Sequence, residues 1–397
     1  MPADFTAPDF DEVIDRIGTH CSKWDAMQGA YGVDPRAGGL AMWVADMDFR
    51  PPASVQRAVQ AMADHGVYGY FGDDRDYLAA IRWWMLERHG WDVAPEWIGT
   101  THGLVNAVGL VLHAFTQPGD GVMLMTPVYH AFARVARASG RQVIEAPLAR
   151  DGDRYVMDFE AWEGLAKGAK ALILCSPHNP GGRVWTAEEL RAVADFCARH
   201  DLLLVSDEIH HDLVFAPHRH IPMPLAAPEC LDRLVMLTAA SKTFNIAGGH
   251  TGNVIISDPA LRARFTAGLA GLGISPNAFG MHMITAAYSP EGAAWVDALL
   301  AYLDGNRQIF DAAINALPGL RSMPLEATYL SWVSFEGTGM TPAEAQARVE
   351  KTARIAANHG ATFGTGGECW LRFNLATPRA RVIEAARRLT AAFGDLQ

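Results

Sequence analysis

The sequence has few cysteines and no arrangement of them that suggests a covalent framework. Its 397 residues include five cysteines, which form neither a C-x-x-C pair nor a zinc-type spacing. We therefore expect free thiols in a reducing compartment. No stretch approaches the roughly 20 apolar residues of a membrane span, and the acidic start MPADFTAPDFDEVIDR lacks the basic and apolar regions of a secretory signal. These absences predict a cytoplasmic protein that does not enter membranes.

An excess of basic charge is also lacking. The chain has 33 basic and 44 acidic residues, a formal net charge of -11. This balance argues against nucleic acid or an anionic membrane surface as the main partner. The sequence also has no G-x-x-x-x-G-K-[ST] phosphate loop and no G-x-S-x-G nucleophile elbow. Neither a P-loop nucleotide site nor an α/β-hydrolase type of nucleophile is therefore expected.

The composition and hydrophobic periodicity of the sequence change twice along the chain. At roughly 100–200 residues per domain, its length predicts two or three domains. Residues 1–50 contain turn formers and little periodicity, so we predict an arm that packs with the small domain. Residues 51–285 are predicted to form a large domain. Residues 286–397, beginning with a long helix at 293–316, are predicted to form a smaller α+β domain.

Residues 95–260 alternate short apolar runs with amphipathic stretches. Runs that are apolar at every position are typical of strands covered on both faces. The predicted strands are residues 122–126, 171–175, 202–206, 234–238 and 254–256. Residues 186–200 are predicted to be a helix, because Thr186 and Glu189 match a capping box. This alternation predicts an α/β domain with a mainly parallel sheet, in which ligands bind beyond the carboxyl ends of the strands.

Three polar residues follow three of these predicted strands. They are Asn179, Asp207 and Lys242, and the carboxyl ends of parallel strands share one edge of a sheet. A lysine amine forms a Schiff base with the aldehyde of pyridoxal 5′-phosphate (PLP), and a carboxylate beside the pyridine nitrogen keeps it protonated. An amide can donate a hydrogen bond to the ring oxygen. Singly, each is an ordinary turn, cap or surface residue, but together they favour a PLP site.

A phosphate site is predicted at the start of a helix. Gly103 precedes the apolar stretch 104–115, so an anion can approach bare backbone N–H groups there and benefit from the helix dipole. A single glycine is a weak signal. Its value comes from its place in the chain, ahead of the three residues at the strand ends.

Seven strings in this order resemble fold-type I PLP-dependent enzymes, the aminotransferase class I/II superfamily. Within it they resemble the MalY/PatB cystathionine β-lyase group, which includes cystalysin-type C–S lyases. The strings are 42–49 (MWVADMDF), 126–129 (TPVY), 175–185 (CSPHNPGGRVW), 206–214 (SDEIHHDLV), 241–248 (SKTFNIAG), 326–332 (EATYLSW) and 370–374 (WLRFN). The resemblance implies the aspartate aminotransferase fold, with a mainly parallel seven-stranded sheet and a smaller α+β domain.

The resemblance also implies roles at the cofactor ring. Lys242 is the Schiff-base lysine and moves the Cα proton, Asp207 pairs with the pyridine nitrogen, and Asn179 bonds the ring oxygen. Tyr129 stacks on the ring and is counted with Lys242 and Asp207 as catalytic. At Tyr129 core packing is an equal alternative on sequence alone.

Further implied roles concern the phosphate and the substrate. The residues implied to hold the phosphate are Gly103, Leu104, Val105 and Ser241. Tyr70 resembles a tyrosine that reaches the phosphate from the partner subunit, which implies a homodimer with shared active sites. Arg372 resembles the arginine that binds the substrate α-carboxylate, where its planar fork suits bidentate binding. The implied substrate-binding set is Arg372, Asn179 and Tyr70. Without the resemblance, a surface salt bridge would be the better interpretation of Arg372, and core packing is an equal alternative for Tyr70.

Two histidines depart from the aminotransferase pattern. His250 stands where many aminotransferases have a phosphate-binding arginine, and His210 stands where many have a tyrosine. His210 is expected for the C–S lyase group and is included among the cofactor-binding residues. His250 either binds the phosphate or is packed.

The implied activity is α,β-elimination from L-cystathionine or a related cysteine S-conjugate. The products would be a thiol (homocysteine), pyruvate and ammonia. An aminotransferase with the same cofactor site is the first alternative, and a regulatory protein that binds a transcription factor is the second. The crowded histidines of residues 210–220 could ligate a metal, but we expect a histidine-rich loop and no metal.

Overall fold

The computed structural model describes residues 8–396, and the elements below are those of that part of the chain. The strands are β1 (Leu40–Ala41), β2 (Ile98–Thr101), β3 (Gly121–Leu124), β4 (Gln142–Glu145), β5 (Ala149–Asp151), β6 (Arg154–Val156), β7 (Ala169–Cys175), β8 (Leu203–Asp207), β9 (Leu234–Thr238), β10 (Gly252–Ile255), β11 (Arg321–Ser322), β12 (Leu330–Ser334), β13 (Ile355–Ala356), β14 (Asn358–His359) and β15 (Trp370–Asn374).

The α-helices lie between these strands and cover the sheets. They are α1 (Ser22–Asp25), α2 (Met27–Tyr31), α3 (Ala53–His65), α4 (Arg75–His89), α5 (Leu104–Phe115), α6 (Ala131–Ala138), α7 (Phe159–Trp162), α8 (Ala187–Arg199), α9 (Met223–Ala226), α10 (Ala240–Thr243), α11 (Pro259–Ala270), α12 (Ala278–Ala287), α13 (Pro290–Asn315), α14 (Pro342–Ala347) and α15 (Arg379–Phe393). No helix within residues 8–396 combines the length and the apolar character needed to cross a bilayer.

The main sheet has seven strands in the order β2-β10-β9-β8-β7-β3-β4. Neighbouring strands from β4 to β9 in this order run parallel, while β10 is antiparallel to both β9 and β2. The predicted mainly parallel, seven-stranded α/β architecture is therefore confirmed. Every residue of β3 and β9 is buried, as expected for strands with helices on both faces.

Alternate side chains of β7 enter two different cores. Leu172 and Leu174 pack in one cluster with Phe196 of α8, whereas Ala171 and Ile173 belong to the cluster on the α5 side. This alternation follows from the two-residue side-chain period of a strand. Both faces of the strand are sealed, so the polar residues beyond its carboxyl end are left to meet a ligand.

The strand boundaries differ from the predicted ones by up to two residues. β9 matches the predicted 234–238, but β8 runs one residue further and ends at Asp207 itself. Backbone partners on both sides cause this extension, because Asp207 pairs with Cys175 of β7 and Leu237 of β9. β3 ends two residues early, where the chain turns ahead of Pro127, which has no backbone N–H.

The predicted helix starts depend on side-chain caps. The capping box is present: Glu189 N–H donates to Thr186 Oγ1 at 3.2 Å, and Thr186 N–H donates to a Glu189 carboxylate oxygen at 2.8 Å. α13 begins three residues before the predicted position 293, because Ser289 caps it and Pro290 occupies its first turn.

A second, antiparallel sheet has the order β11-β12-β15-β14. The strand Trp370–Asn374 lies inside it, with every residue buried, and it contains Arg372. The N-terminal part of the chain pairs nearby, since Leu40 of β1 is in register with Ile355 of β13. The predicted domain limits, 1–50, 51–285 and 286–397, stay predictions, and residues 1–7 of the predicted arm lie outside the described residues.

A buried ion cluster anchors residues 16–48. The side chains of Lys23 and Asp48 are both fully buried, 3.1 Å apart between Nζ and Oδ2. Trp24 Nε1, Arg16 and Arg381 also contact the carboxylate of Asp48. Burial alone would raise the pKa of Asp48, but Lys23 and the other donors outweigh it and lower that pKa to about 2.

Asp48→Ala is expected to lower the free energy of unfolding by about 3–5 kcal/mol, because the buried Lys23 ammonium loses its nearest carboxylate and keeps only the Asp46 carbonyl oxygen and the Asp46 carboxylate at 3.9 Å. The denaturant midpoint measures this loss, and Asp73→Ala, at an exposed ion pair, is the control that should leave it unchanged. The pKa of Asp48 is depressed in the folded chain. Its stabilising contribution is therefore present above about pH 4 and is lost as the pH falls toward about 2. An unchanged midpoint at neutral pH would contradict this role for the cluster.

Candidate active site

One cavity of about 260 Å³ opens at the carboxyl ends of β7 and β8. It contains most of the residues that the sequence predicted for the cofactor site. Those in its lining are Gly103, Leu104, Val105, Tyr129, Asn179, Asp207, His210, Ser241 and Lys242. These residues converge because the segments that follow parallel strands all begin at the same edge of the sheet.

Lys242 lies on the short helix α10, directly after β9. Its Nζ donates a hydrogen bond of 2.6 Å to the carbonyl oxygen of Ala45, and it forms no salt bridge with any described residue. Burial lowers the pKa of Lys242 to about 8. The neutral form, which acts as a nucleophile or a base, is therefore far more accessible near neutral pH than in an ordinary lysine.

Asp207 presents a buried carboxylate to the same cavity. It is 4% exposed, and the backbone N–H of Ile209 donates to Oδ1 at 3.1 Å. Burial raises the pKa of Asp207 to about 7. A cationic N–H group bound in the cavity would counteract that burial and hold the carboxylate ionised.

Arg372 is a buried guanidinium without a carboxylate partner in the described residues. Nη1 donates to Asn179 Oδ1 at 2.9 Å, and Nη2 donates to the Trp43 carbonyl oxygen at 3.1 Å and to Asn358 Oδ1. Nε is buried and has no hydrogen-bond partner. Burial lowers the pKa of Arg372 to about 10. Such an uncompensated buried charge favours an anionic ligand.

The helix α5 starts at the cavity wall. Gly103 has φ +82°, a backbone conformation that favours glycine, and a Cβ there would meet only open space. The first N–H groups of α5 have no partner within the helix, so they form an anion site in the predicted position. His102 and His250 also line the cavity. Of the two, His250 stands at the position where many aminotransferases have a phosphate-binding arginine.

Tyr129 and His210 both lie in the lining. The Tyr129 N–H donates to the Asn179 carbonyl oxygen at 3.0 Å, and its ring packs edge-on against Phe132 at 5.5 Å. His210 is 2% exposed, and its Nδ1 has no hydrogen-bond partner in the described residues. Burial, together with the charges of Lys242 and Arg372, holds the pKa of His210 far below its usual range, so the ring is neutral.

Two predicted site residues, Arg372 and Tyr70, are not part of the cavity lining, and of these only Arg372 is joined to it, through Asn179. The side chain of Tyr70 is fully exposed and does not line the cavity of its own chain. The predicted contact is with the partner subunit, so that role stays a prediction.

Sequence reasoning missed the groups that position Lys242 and Arg372. Tyr329 Oη donates at 2.9 Å to the Ala45 carbonyl oxygen that also binds Lys242. Asn358 binds Arg372 and also donates to Tyr31 Oη at 3.0 Å. Ala45 and Tyr329 do belong to two of the quoted strings. However, Ala45 acts through its carbonyl oxygen and is 197 residues from Lys242, so no local pattern could reveal the contact.

Comparison with known proteins identifies the family. Residues 44–389 match the family model described as aminotransferase class I and II. The chain is 38% identical to Cystathionine beta-lyase PatB of Bacillus subtilis, over 96% of this chain and 99% of PatB. It is 32% identical to Protein MalY of Escherichia coli, over 94% of this chain and 96% of MalY.

A solved structure extends the match to the whole fold. Cystalysin from Treponema denticola, whose structure is described as containing a pyridoxal 5′-phosphate cofactor, superposes with a TM-score of 0.93. The two chains are 34% identical, with 99% of this chain and 100% of cystalysin covered. The chain therefore belongs to the aminotransferase class I and II family and, within it, to the MalY/PatB group.

Proposed function

We propose that the protein is a PLP-dependent C–S β-lyase that cleaves L-cystathionine or a related cysteine S-conjugate. The products are a thiol (homocysteine from L-cystathionine), pyruvate and ammonia. One observation supports the proposal above all: Lys242, Asp207 and Asn179 share a cavity, and Asn179 holds the unpaired Arg372. The names of the relatives, Cystathionine beta-lyase PatB and cystalysin, favour elimination over transamination.

The polar groups of the cavity fit PLP. The lysine amine of Lys242 matches the aldehyde, the carboxylate of Asp207 matches a protonated pyridine nitrogen, and the N-terminus of α5 matches a phosphate. Asn179 adds a further match, because its Oδ1 is committed to Arg372. Its Nδ2 is thereby oriented as a donor, as the phenolic oxygen of the ring requires. Each polar group of the cofactor thus has a group of complementary charge or hydrogen-bonding character in the cavity.

In the proposed mechanism, PLP supplies an aldehyde that captures the substrate amine and a ring that accepts electrons from Cα. Arg372 binds the α-carboxylate, and Asp207 holds the proton of the ring nitrogen. Lys242, in its neutral form, would remove the proton from Cα of the bound substrate. Loss of the thiolate from Cβ follows, and the resulting enamine hydrolyses to pyruvate and ammonia.

The proposal includes a homodimer in the cytoplasm, acting on small amino-acid substrates. The exposed ring of Tyr70 supports the dimer. A tyrosine that contacted the cavity of its own chain would be at least partly buried, whereas this side chain is fully exposed and free to contact a second subunit. Gly103, Leu104, Val105 and Ser241 are proposed to hold the phosphate, with Tyr70 of the partner subunit reaching the same group. Sedimentation of the PLP-loaded protein tests the dimer, and a monomer at assay concentration would contradict it.

Incubation of the purified protein with PLP and L-cystathionine tests the activity. We expect equimolar pyruvate and homocysteine, because one elimination yields one of each. An assay for amino transfer from the same substrate to a 2-oxo acid is run in parallel. Efficient amino transfer without pyruvate would overturn the lyase and establish the aminotransferase alternative.

A further inference from the structure

A second cluster of titratable side chains lies outside the cavity of Lys242. It joins the end of α4 to the segment after β8, and its members are His89, His211 and Asp212. One possible ligand atom from each of them lies within 4.8 Å of the others. His89 Nε2 is 2.8 Å from Asp212 Oδ1, and His211 Nε2 is 3.1 Å from Asp212 Oδ2. His89 is 122 residues away from His211 along the chain, so the sequence alone did not join them.

The imidazole of His211 is buried without hydrogen bonds. The residue is 2% exposed, and neither ring nitrogen has a hydrogen-bond partner of acceptable geometry in the described residues. Nε2 faces Asp212 Oδ2 at contact distance but outside hydrogen-bond geometry. Burying polar atoms in this way is costly unless something else satisfies them. A ligand between the ring and the carboxylate would remove that cost.

The negative charge around the cluster is compensated by histidines alone within the described residues. The carboxylates of Asp212 and Glu208 are fully buried, and within residues 8–396 neither forms a salt bridge with lysine or arginine. Their only ionic partners there are imidazoles, with His220 Nε2 2.6 Å from Glu208 Oε2. A divalent cation held by Asp212 would supply positive charge that otherwise comes only from imidazoles.

We propose that His89, His211 and Asp212 form a binding site for a divalent transition-metal ion of the zinc type. His220 lies beside them, with its ring centre 5.9 Å from that of His89 and 6.1 Å from that of His211, but its Nε2 is held by Glu208 at 2.6 Å, so we expect a water molecule to complete the tetrahedron. Imidazole nitrogen and carboxylate oxygen are ligands that zinc accepts in tetrahedral sites. A solvent-accessible cavity of about 750 Å³, lined by all four residues, provides an entry path.

The distances are compatible with one ion. Zinc ligands at about 2.0–2.1 Å from the metal stand roughly 3.3 Å apart in a tetrahedron. The pairs at 2.8 and 3.1 Å already approach this spacing, and the widest separation, at most 4.8 Å, closes by side-chain rotation.

Two hydrogen-bond donors outside the proposed ligand set orient the carboxylate of Asp212. Trp84 Nε1 donates to Oδ1 at 3.0 Å, and Thr243 Oγ1 donates to Oδ2 at 2.7 Å. Donors of this kind orient ligating carboxylates in metal sites. Because Thr243 follows Lys242 on α10, the ion would tie α4 to the helix of the proposed cofactor lysine. We therefore expect it to act on stability rather than on the chemistry, independently of the proposed lyase activity.

Metal analysis of the untagged PLP-loaded protein tests the site. The protein is stripped with a chelator, equilibrated with Zn²⁺ and washed, and bound zinc is counted by mass spectrometry. We expect one zinc per chain, a higher melting temperature with zinc, and an affinity at least about 100-fold weaker in His211→Asn. His218→Asn, in the same histidine-rich loop but outside the cluster, is the matched control and should retain zinc.

Two further measurements separate ligation from folding. His89→Gln removes a ligand from α4 instead of from the loop and should lose zinc as well. Co²⁺ in place of Zn²⁺ should give the visible absorption of a four-coordinate site, and His211→Asn should lose it while retaining PLP colour and far-ultraviolet circular dichroism. Absence of zinc from the unmodified protein, or zinc retained in both His89→Gln and His211→Asn, would show a hydrogen-bonded histidine cluster only and overturn the proposal.

Discussion

Replacing Lys242 by alanine is expected to lower pyruvate formation from L-cystathionine by at least about 10⁴-fold. A positioned acid–base group contributes about 10²–10⁴-fold by itself, and this variant also loses the covalent attachment of the cofactor. The pyruvate release rate with saturating PLP measures the effect. No lysine other than 242 lines the cavity, so no neighbouring amine in the described chain can replace it.

Lys170→Ala is the control for this substitution. Lys170 is exposed on β7, outside the cavity, and its loss should leave the rate unchanged. Circular dichroism of Lys242→Ala should match that of the parent, because removing a partly buried amine leaves the backbone contacts of α10 intact. A rate within tenfold of the parent would contradict the assignment of Lys242.

Replacing Arg372 by alanine is expected to lower kcat/KM for L-cystathionine by about 10²–10³-fold, roughly 3–4 kcal/mol of lost binding to the carboxylate. The effect should appear largely as a higher KM, since the α-carboxylate is bound before and during the reaction. Arg372→Lys should recover only part of it. A lysine retains the charge but cannot hold Asn179 and a carboxylate with one planar fork.

Steady-state kinetics of both variants beside Arg387→Ala test this role. Arg387 is an exposed arginine paired with Glu384 on α15, so its removal should change neither constant. If KM were unchanged in Arg372→Ala, the carboxylate of the substrate would have to bind to other residues.

Local sequence pattern was sufficient for the sheet and for the core of the site. The uninterrupted apolar runs predicted strands with helices on both faces, and parallel strands necessarily bring Asn179 and Asp207 to one edge. The capping box at Thr186 and the helix start after Gly103 were also visible, because each depends on residues within one helical turn.

Contacts between distant segments could not be predicted in this way. The Ala45 carbonyl that binds Lys242, the Asn358 amide that binds Arg372 and the approach of His89 to Asp212 all depend on tertiary packing. Each uses a common residue type in an ordinary local context. Tyr70 is a different case, since its predicted partner belongs to another chain.

The covalent link between PLP and the protein tests the central claim most directly. The PLP-loaded protein is reduced with borohydride, digested and sequenced by mass spectrometry, so that the modified lysine is identified. The other lysines of the chain, Lys23, Lys167, Lys170 and Lys351, serve as internal controls. The account predicts a stoichiometric label on Lys242, whereas a label on any other lysine, or a protein that stays colourless with PLP, would contradict it.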